Sequence, residues 1–129
     1  KTVMGADEIM TEVIIPCRLG SSTFLKLGRR KGSSISIASV AAFAAITNGK
    51  FENVMVAVSA IASAPVRGRK VEAALKGMPV SEENIERASA LIKEEIEPIR
   101  DVRGSASYRK EMASVLIKRA LTRIATGER

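Results

Sequence analysis

The side chains that could do chemistry in this sequence are carboxylates, lysines, arginines, hydroxyls and one tyrosine; there is no His, no Trp and a single cysteine, Cys17. Without His there is no Ser-His-Asp triad, no Cys-His pair, no imidazole base near neutral pH and no imidazole metal ligand. A lone cysteine builds neither a zinc or iron-sulfur cluster nor an intramolecular disulfide. The residues therefore nominate no catalytic set and no metal site of their own, and a borrowed cofactor is the natural source of reactive chemistry.

Charge is the next candidate. Lys and Arg number 21 against 14 acids, a formal net charge of +7, and such a balance suits nucleic acid, anionic lipid or an acidic partner. The densest basic clusters are Arg29, Arg30 and Lys31, and Arg67, Arg69 and Lys70. Guanidinium forks suit carboxylate and phosphate, so each cluster reads either as solvated loop charge or as an anion or acidic-partner site. A small basic nucleic-acid-binding module is the alternative reading of the chain. It lacks a base-stacking platform, because Phe24, Phe43, Phe51 and Tyr108 are scattered and not interleaved with basic residues. Gly20-Ser21-Ser22 and Gly28 read as turns and not as a phosphate loop, since neither opens a long helix after a strand. Glu82, Glu83, Glu86, Glu94, Glu95 and Glu97 read as the solvated face of a helix, and Asp101 and Arg103 as charges that pin a loop.

The elements that must position these groups follow from periodicity. Glu8 to Ile15, rich in Ile, Val and Thr, reads as a strand ended by Pro16. Thr23 to Leu27 is a short apolar piece of ambiguous structure. Ser33 to Thr47 and Phe51 to Ala62 are strand-like runs joined through Asn48-Gly49-Lys50, a hairpin turn signal. In the second run Val54, Val56 and Val58 share one face, and Met55, Ala57 and Ile61 the other, so a central strand pair covered on both sides is expected. From Pro65 the period lengthens to about 3.6. Val66 to Lys76 reads as a short helix ended by Gly77. A second helix starts at the N-cap Ser81, has Ile85, Ala88, Ile92 and Ile96 on one face, and ends at Pro98. A third, from about Ser105 to Ala125, carries Ala113, Ile117, Ala120, Leu121 and Ile124 on one stripe.

Strands first and helices second predict an α+β fold, an antiparallel sheet of three or four strands followed by three helices packed on one face. If helices cover one face only, the other apolar face needs a partner. At 129 residues the chain is expected to be a single domain, 1–129, able to hold a core without disulfide or metal. It carries no signal-peptide pattern and no apolar run long enough to span a bilayer. An unpaired cysteine fits a reducing compartment, so the cytoplasm is the expected location.

Six stretches read together resemble one family: Glu8-Ile9-Met10-Thr11-Glu12, Phe24-Leu25-Lys26-Leu27-Gly28-Arg29-Arg30, Ala64-Pro65-Val66-Arg67, Glu72-Ala73-Ala74-Leu75-Lys76-Gly77, Pro98-Ile99-Arg100-Asp101-Val102-Arg103-Gly104 and Tyr108-Arg109. In order and spacing they are similar to the C-terminal domain of the FAD-binding medium subunit of molybdenum hydroxylases, the xanthine dehydrogenase and carbon monoxide dehydrogenase family. The resemblance implies the same α+β fold and part of an FAD-dependent oxidoreductase. It implies that N-terminal FAD-binding domains of the same subunit, absent here, hold most of the cofactor, while the C-terminal domain closes over the isoalloxazine. Electrons would pass from molybdopterin in a large subunit, through iron-sulfur clusters in a small subunit, to FAD and on to NAD or another acceptor. A dimer of such heterotrimers would be the assembly, with no nucleic acid and no membrane involved, and the isolated domain would be inactive.

Carried over by residue, the resemblance places Met10 where the family presents an apolar side chain to the flavin, Lys26 at or beside a flavin-contacting lysine, and Phe24 at an aromatic position often occupied by Tyr, whose hydroxyl is missing here. An ammonium near the flavin favours negative charge on it, and an apolar cover excludes water. Core packing is the other reading of Met10 and Phe24.

Overall fold

Asn48 and Gly49 both have positive φ, 51° and 70°, the pair that a type I′ hairpin turn requires. They reverse the chain between β2 (Ser36–Thr47) and β3 (Lys50–Ser59), the long central strands of the computed structural model. The structure describes residues 3–30, 34–99, 102 and 104–128. Lys31 of the first basic cluster, Ser33 at the expected strand start, and Arg100, Asp101 and Arg103 of the expected pinned loop lie outside these residues.

The ambiguous Thr23–Leu27 piece lies within β1 (Ser21–Gly28), antiparallel to β2, and β4 (Val66–Arg67) pairs with β3, which completes a four-stranded antiparallel sheet in the order β1-β2-β3-β4. Even-numbered positions of the central strands, Ala38, Val40, Ala42 and Ala44 with Val54, Val56 and Val58, are buried, as alternation along a strand requires. A bulge then changes the parity. Ala45 pairs with Asn53 but Ile46 pairs with Phe51, so Glu52 is the extra residue and Phe51 turns into the core, fully buried.

Helices α1 (Arg69–Leu75), α2 (Glu82–Ala90) and α3 (Ala106–Thr126) follow. Ser81 caps α2 by accepting the Asn84 N–H at 3.2 Å, and Ser105 caps α3 by accepting that of Tyr108 at 3.1 Å. The α3 stripe of Ala113, Leu116, Ile117, Ala120, Leu121 and Ile124 is buried. α3 packs on β1 and β2, and α1 on β3. The fold is thus α+β, a four-stranded antiparallel sheet with three helices on one face, as the strand and helix periods predict.

Four local expectations are corrected. Glu8–Ile15 is not a strand: it is exposed and carries no regular structure, because β-branched residues favour strands only against cross-strand neighbours, and none of the described residues pairs with it. The first helix starts at Arg69 and not Val66, since Val66 and Arg67 pair with Val58 and Ala57. The second helix tightens into a 3-10 turn at Leu91–Glu94, which still buries Ile92, with Ile96 buried just beyond. The central strands are covered by helices on one face and not on both.

Candidate functional site

The uncovered face of the sheet is defined by register. Ser22, Phe43 and Met55 lie side by side across β1, β2 and β3; Phe24, Ala41, Ala57 and Arg67 form the next row, across all four strands; Lys26, Ser39 and Ser59 form the third. Side chains two apart on a strand share a face, so Phe24 and Lys26 are neighbours on this surface. Phe24 is 62% exposed, and Lys26 is also exposed.

Phe24, Ala41, Phe43, Met55, Ala57 and Arg67 line a shallow hollow of about 520 Å³. Its floor is flat because the middle of the second row is Ala41 and Ala57, whose methyl groups barely rise from the sheet. Its walls are aromatic and thioether side chains. The shape suits a planar ring system laid on the strands, with π-faces and polarisable sulfur as contacts.

Gly20 shapes one wall. Its φ is +151°, and a Cβ there would stand 2.5 Å from the Phe43 ring and 2.7 Å from the Ala44 carbonyl oxygen. Only glycine lets the chain enter β1 this close to Phe43. The sequence marks a turn at Gly20; its contact with Phe43 exists only in the folded chain.

Of the three residues carried over by resemblance, the structure brings Phe24 and Lys26 together and leaves Met10 apart. Met10 is 65% exposed in the irregular segment before β1, in a separate depression with Val3, Met4, Glu8 and Ile9. None of the three is packed in the core.

Three members of the basic clusters are held by other groups. Arg67 Nε donates to Glu72 Oε1 at 2.8 Å and Lys70 Nζ to Glu94 Oε2 at 2.6 Å, while an Arg29 amino group donates to the Val102 carbonyl at 2.8 Å. The bond from Glu72, then its charge, raise the Arg67 pKa above the ordinary arginine value, so this guanidinium is always charged. The arginine at the edge of the hollow is the functional candidate that sequence reasoning left undecided. Its signal was present in Ala64-Pro65-Val66-Arg67, but its position opposite Phe24 depends on the two-residue β4 pairing, which no local pattern reveals.

The residues around the hollow fit the ring of an FAD molecule and not its pyrophosphate. The hollow is flat, apolar and edged by Arg67, with Lys26 in the next row, whereas no glycine-rich turn among the described residues opens a long helix.

Comparison with known proteins identifies the family. The sequence profile of the CO dehydrogenase flavoprotein C-terminal domain matches residues 23–124. The chain is 32% identical over 120 residues to the nicotine 6-hydroxylase medium subunit of Paenarthrobacter nicotinovorans, covering 93% of the chain and 42% of that protein. It is 26% identical over 124 residues to the glyceraldehyde dehydrogenase medium chain of Sulfolobus acidocaldarius, covering 96% and 44%. Among solved structures, quinoline 2-oxidoreductase from Pseudomonas putida 86 superposes with a TM-score of 0.81 at 25% identity, over 88% of this chain and 39% of that one. The chain thus spans less than half the length of the relatives it matches. By fold, sequence and the extent of the match, it belongs to the CO dehydrogenase flavoprotein C-terminal domain family, whose members are parts of the medium, FAD subunits of molybdenum hydroxylases.

Proposed function

We propose that this domain covers the isoalloxazine end of FAD in the medium subunit of a molybdenum hydroxylase-type oxidoreductase, using the helix-free face of its sheet. The observation that carries this reading is that exposed Phe24 lines a flat apolar hollow and exposed Lys26 follows it on the same face of β1. Bound FAD supplies the redox chemistry. The chain's own residues bind and tune: Phe24, with Phe43 and Met55, shields the ring from water, and the Lys26 ammonium favours negative charge on it, an effect that strengthens as water leaves the site. Met10 joins this cover only if the segment before β1 is brought against the ring. No residue here is assigned as catalytic.

The rest of the reading follows the family. N-terminal domains of the same subunit hold the pyrophosphate, an iron-sulfur small subunit delivers electrons, and a molybdopterin large subunit oxidises the substrate. NAD or another acceptor takes the electrons, within a cytoplasmic dimer of heterotrimers. None of the helices among the described residues is long and apolar enough to cross a membrane.

The test is made on the complete FAD-loaded subunit. Lys26→Ala should lower the flavin midpoint potential, and Phe24→Ala should weaken flavin retention on gel filtration; unchanged potential and retention in both variants would refute the reading. The 129-residue chain alone should elute without flavin and show no turnover, and stoichiometric flavin absorbance in its peak would mean that the main binding determinants lie in this domain.

A further inference from the structure

Arg67 has an arrangement that the reading above does not use. It ends the row Phe24, Ala41, Ala57, Arg67, three strand spacings, or about 14 Å, from Phe24. Its Nε is committed to Glu72 Oε1 at 2.8 Å. That oxygen is itself held by the Val56 N–H at 2.9 Å, and the Glu72 side chain is only 14% exposed. No other bond to this guanidinium exists among the described residues. The fork is therefore pinned at its base while its two terminal amino groups remain donors, beside an apolar floor that offers them nothing.

A pinned fork differs from a solvated arginine. Its side-chain freedom is already restricted by Glu72, so little more is lost when a ligand bonds to it. What fits is a planar ring system whose apolar body lies on Ala41 and Ala57 and whose electron-rich carbonyl edge meets two parallel N–H donors. We infer that Arg67 grips the carbonyl-bearing pyrimidine edge of the flavin ring and stabilises negative charge there. This inference rests on the proposed flavin seat and adds the orientation of the ring: apolar end toward Phe24, carbonyl edge toward Arg67. Charge near that edge is one of the means by which a protein sets a flavin's potential.

The experiment uses the complete FAD-loaded subunit and reads the flavin midpoint potential by spectroelectrochemical titration, with thermal unfolding alongside. Arg67→Gln should shift the reduction equilibrium toward the oxidised form about tenfold, about 30 mV for a two-electron couple. Arg67→Lys keeps the charge but loses the fork and should shift it by about threefold, less than Arg67→Gln. If Lys26→Ala moves the potential and Arg67→Gln does not, the role of Arg67 is overturned and the flavin seat stands. If neither variant moves it, both fall. If Arg67→Lys shifts the potential as far as Arg67→Gln, Arg67 acts only by holding the sheet edge, and the inference fails. Should Arg67→Gln not fold, Glu72→Gln keeps an acceptor for Val56 while loosening the fork; a smaller shift in the same direction supports the inference and an unchanged potential overturns it.

Discussion

The carboxylate of Glu72, on the first helix, accepts the backbone N–H of Val56 in the middle of the third strand at 2.9 Å. A side chain here does what a neighbouring strand would do, at the place where β4 runs out after two residues. Removing the acceptor leaves a shielded amide without a bond, a loss of about 2 kcal/mol. Glu72→Ala should therefore lower stability by that order in urea unfolding, and Glu72→Gln, whose amide oxygen still accepts, by roughly half as much. Equal losses would show that the charge on Arg67, and not the Val56 bond, is what Glu72 serves.

The exposed ion pairs predict a basic limit to stability. Lys118 lies 3.0 Å from Glu86 and 3.2 Å from Glu82; the bonds to Glu86 and then Glu82 raise its pKa above the ordinary lysine value of 10.5. The bond to Glu94 does the same for Lys70. A cation whose pKa is raised by folding stabilises fully below its unfolded value, and the contribution is lost as pH climbs through the folded one. These pairs should thus add nothing to the pH dependence near neutrality and a small decline in melting temperature beyond pH 10.5. Lys118→Met should flatten part of that decline, and an unchanged profile would remove the pair from the explanation.

Gly20 links backbone conformation to the hollow. A methyl group there would collide with the Phe43 ring at 2.5 Å, so Gly20→Ala must move the ring or the strand entry, at about 1–3 kcal/mol. Because Phe43 lines the hollow, the same variant should alter flavin absorbance in the complete subunit. Lost stability with an unaltered flavin spectrum would place the ring elsewhere.

Arg109 is 1% exposed, near the start of α3, and donates to the Ala60 carbonyl at 2.6 Å. Ala60 has a φ of 62°, uncommon for a residue with a Cβ, at the turn that leaves β3. Arg109→Ala removes a large buried side chain and leaves that carbonyl without its donor, a loss of about 3 kcal/mol. Denaturant titration checks this, and a loss below about 1 kcal/mol would show the turn holding itself.

The parts of the fold legible in the sequence were those governed by neighbours in the chain. Asn48-Gly49 announces its hairpin because both residues tolerate positive φ, Ser81 and Ser105 announce helix starts because their hydroxyls reach amides three residues on, and α3 shows a repeating apolar stripe. The parts misread depend on distant partners. Val66 and Arg67 look like the first turn of a helix until Val58 and Ala57 are beside them, and Glu8–Ile15 looks like a strand although no described residue pairs with it. The site was half legible. Resemblance named Phe24 and Lys26, but their shared face follows only once Ser21–Gly28 is a strand, and the flat floor of Ala41 and Ala57 and the place of Arg67 opposite Phe24 emerge only from the register of four strands.

The closure of β3 also decides where this sheet could grow. On that side Phe51 exchanges bonds with Met78 and Gly77, and Val56 with Gly68 and Glu72, so the outward backbone groups at Phe51 and Val56 are already taken. β1 has no strand on its far side among the described residues, and it carries no proline, with Lys26 as its one charged residue. A strand arriving from any source would find its hydrogen-bonding template there and would lie directly beside Phe24 and Lys26. Widening the sheet on that side would thus add a neighbour to Phe24 and Lys26, the residues that the proposed flavin seat uses, and leave the floor at Ala41 and Ala57 untouched.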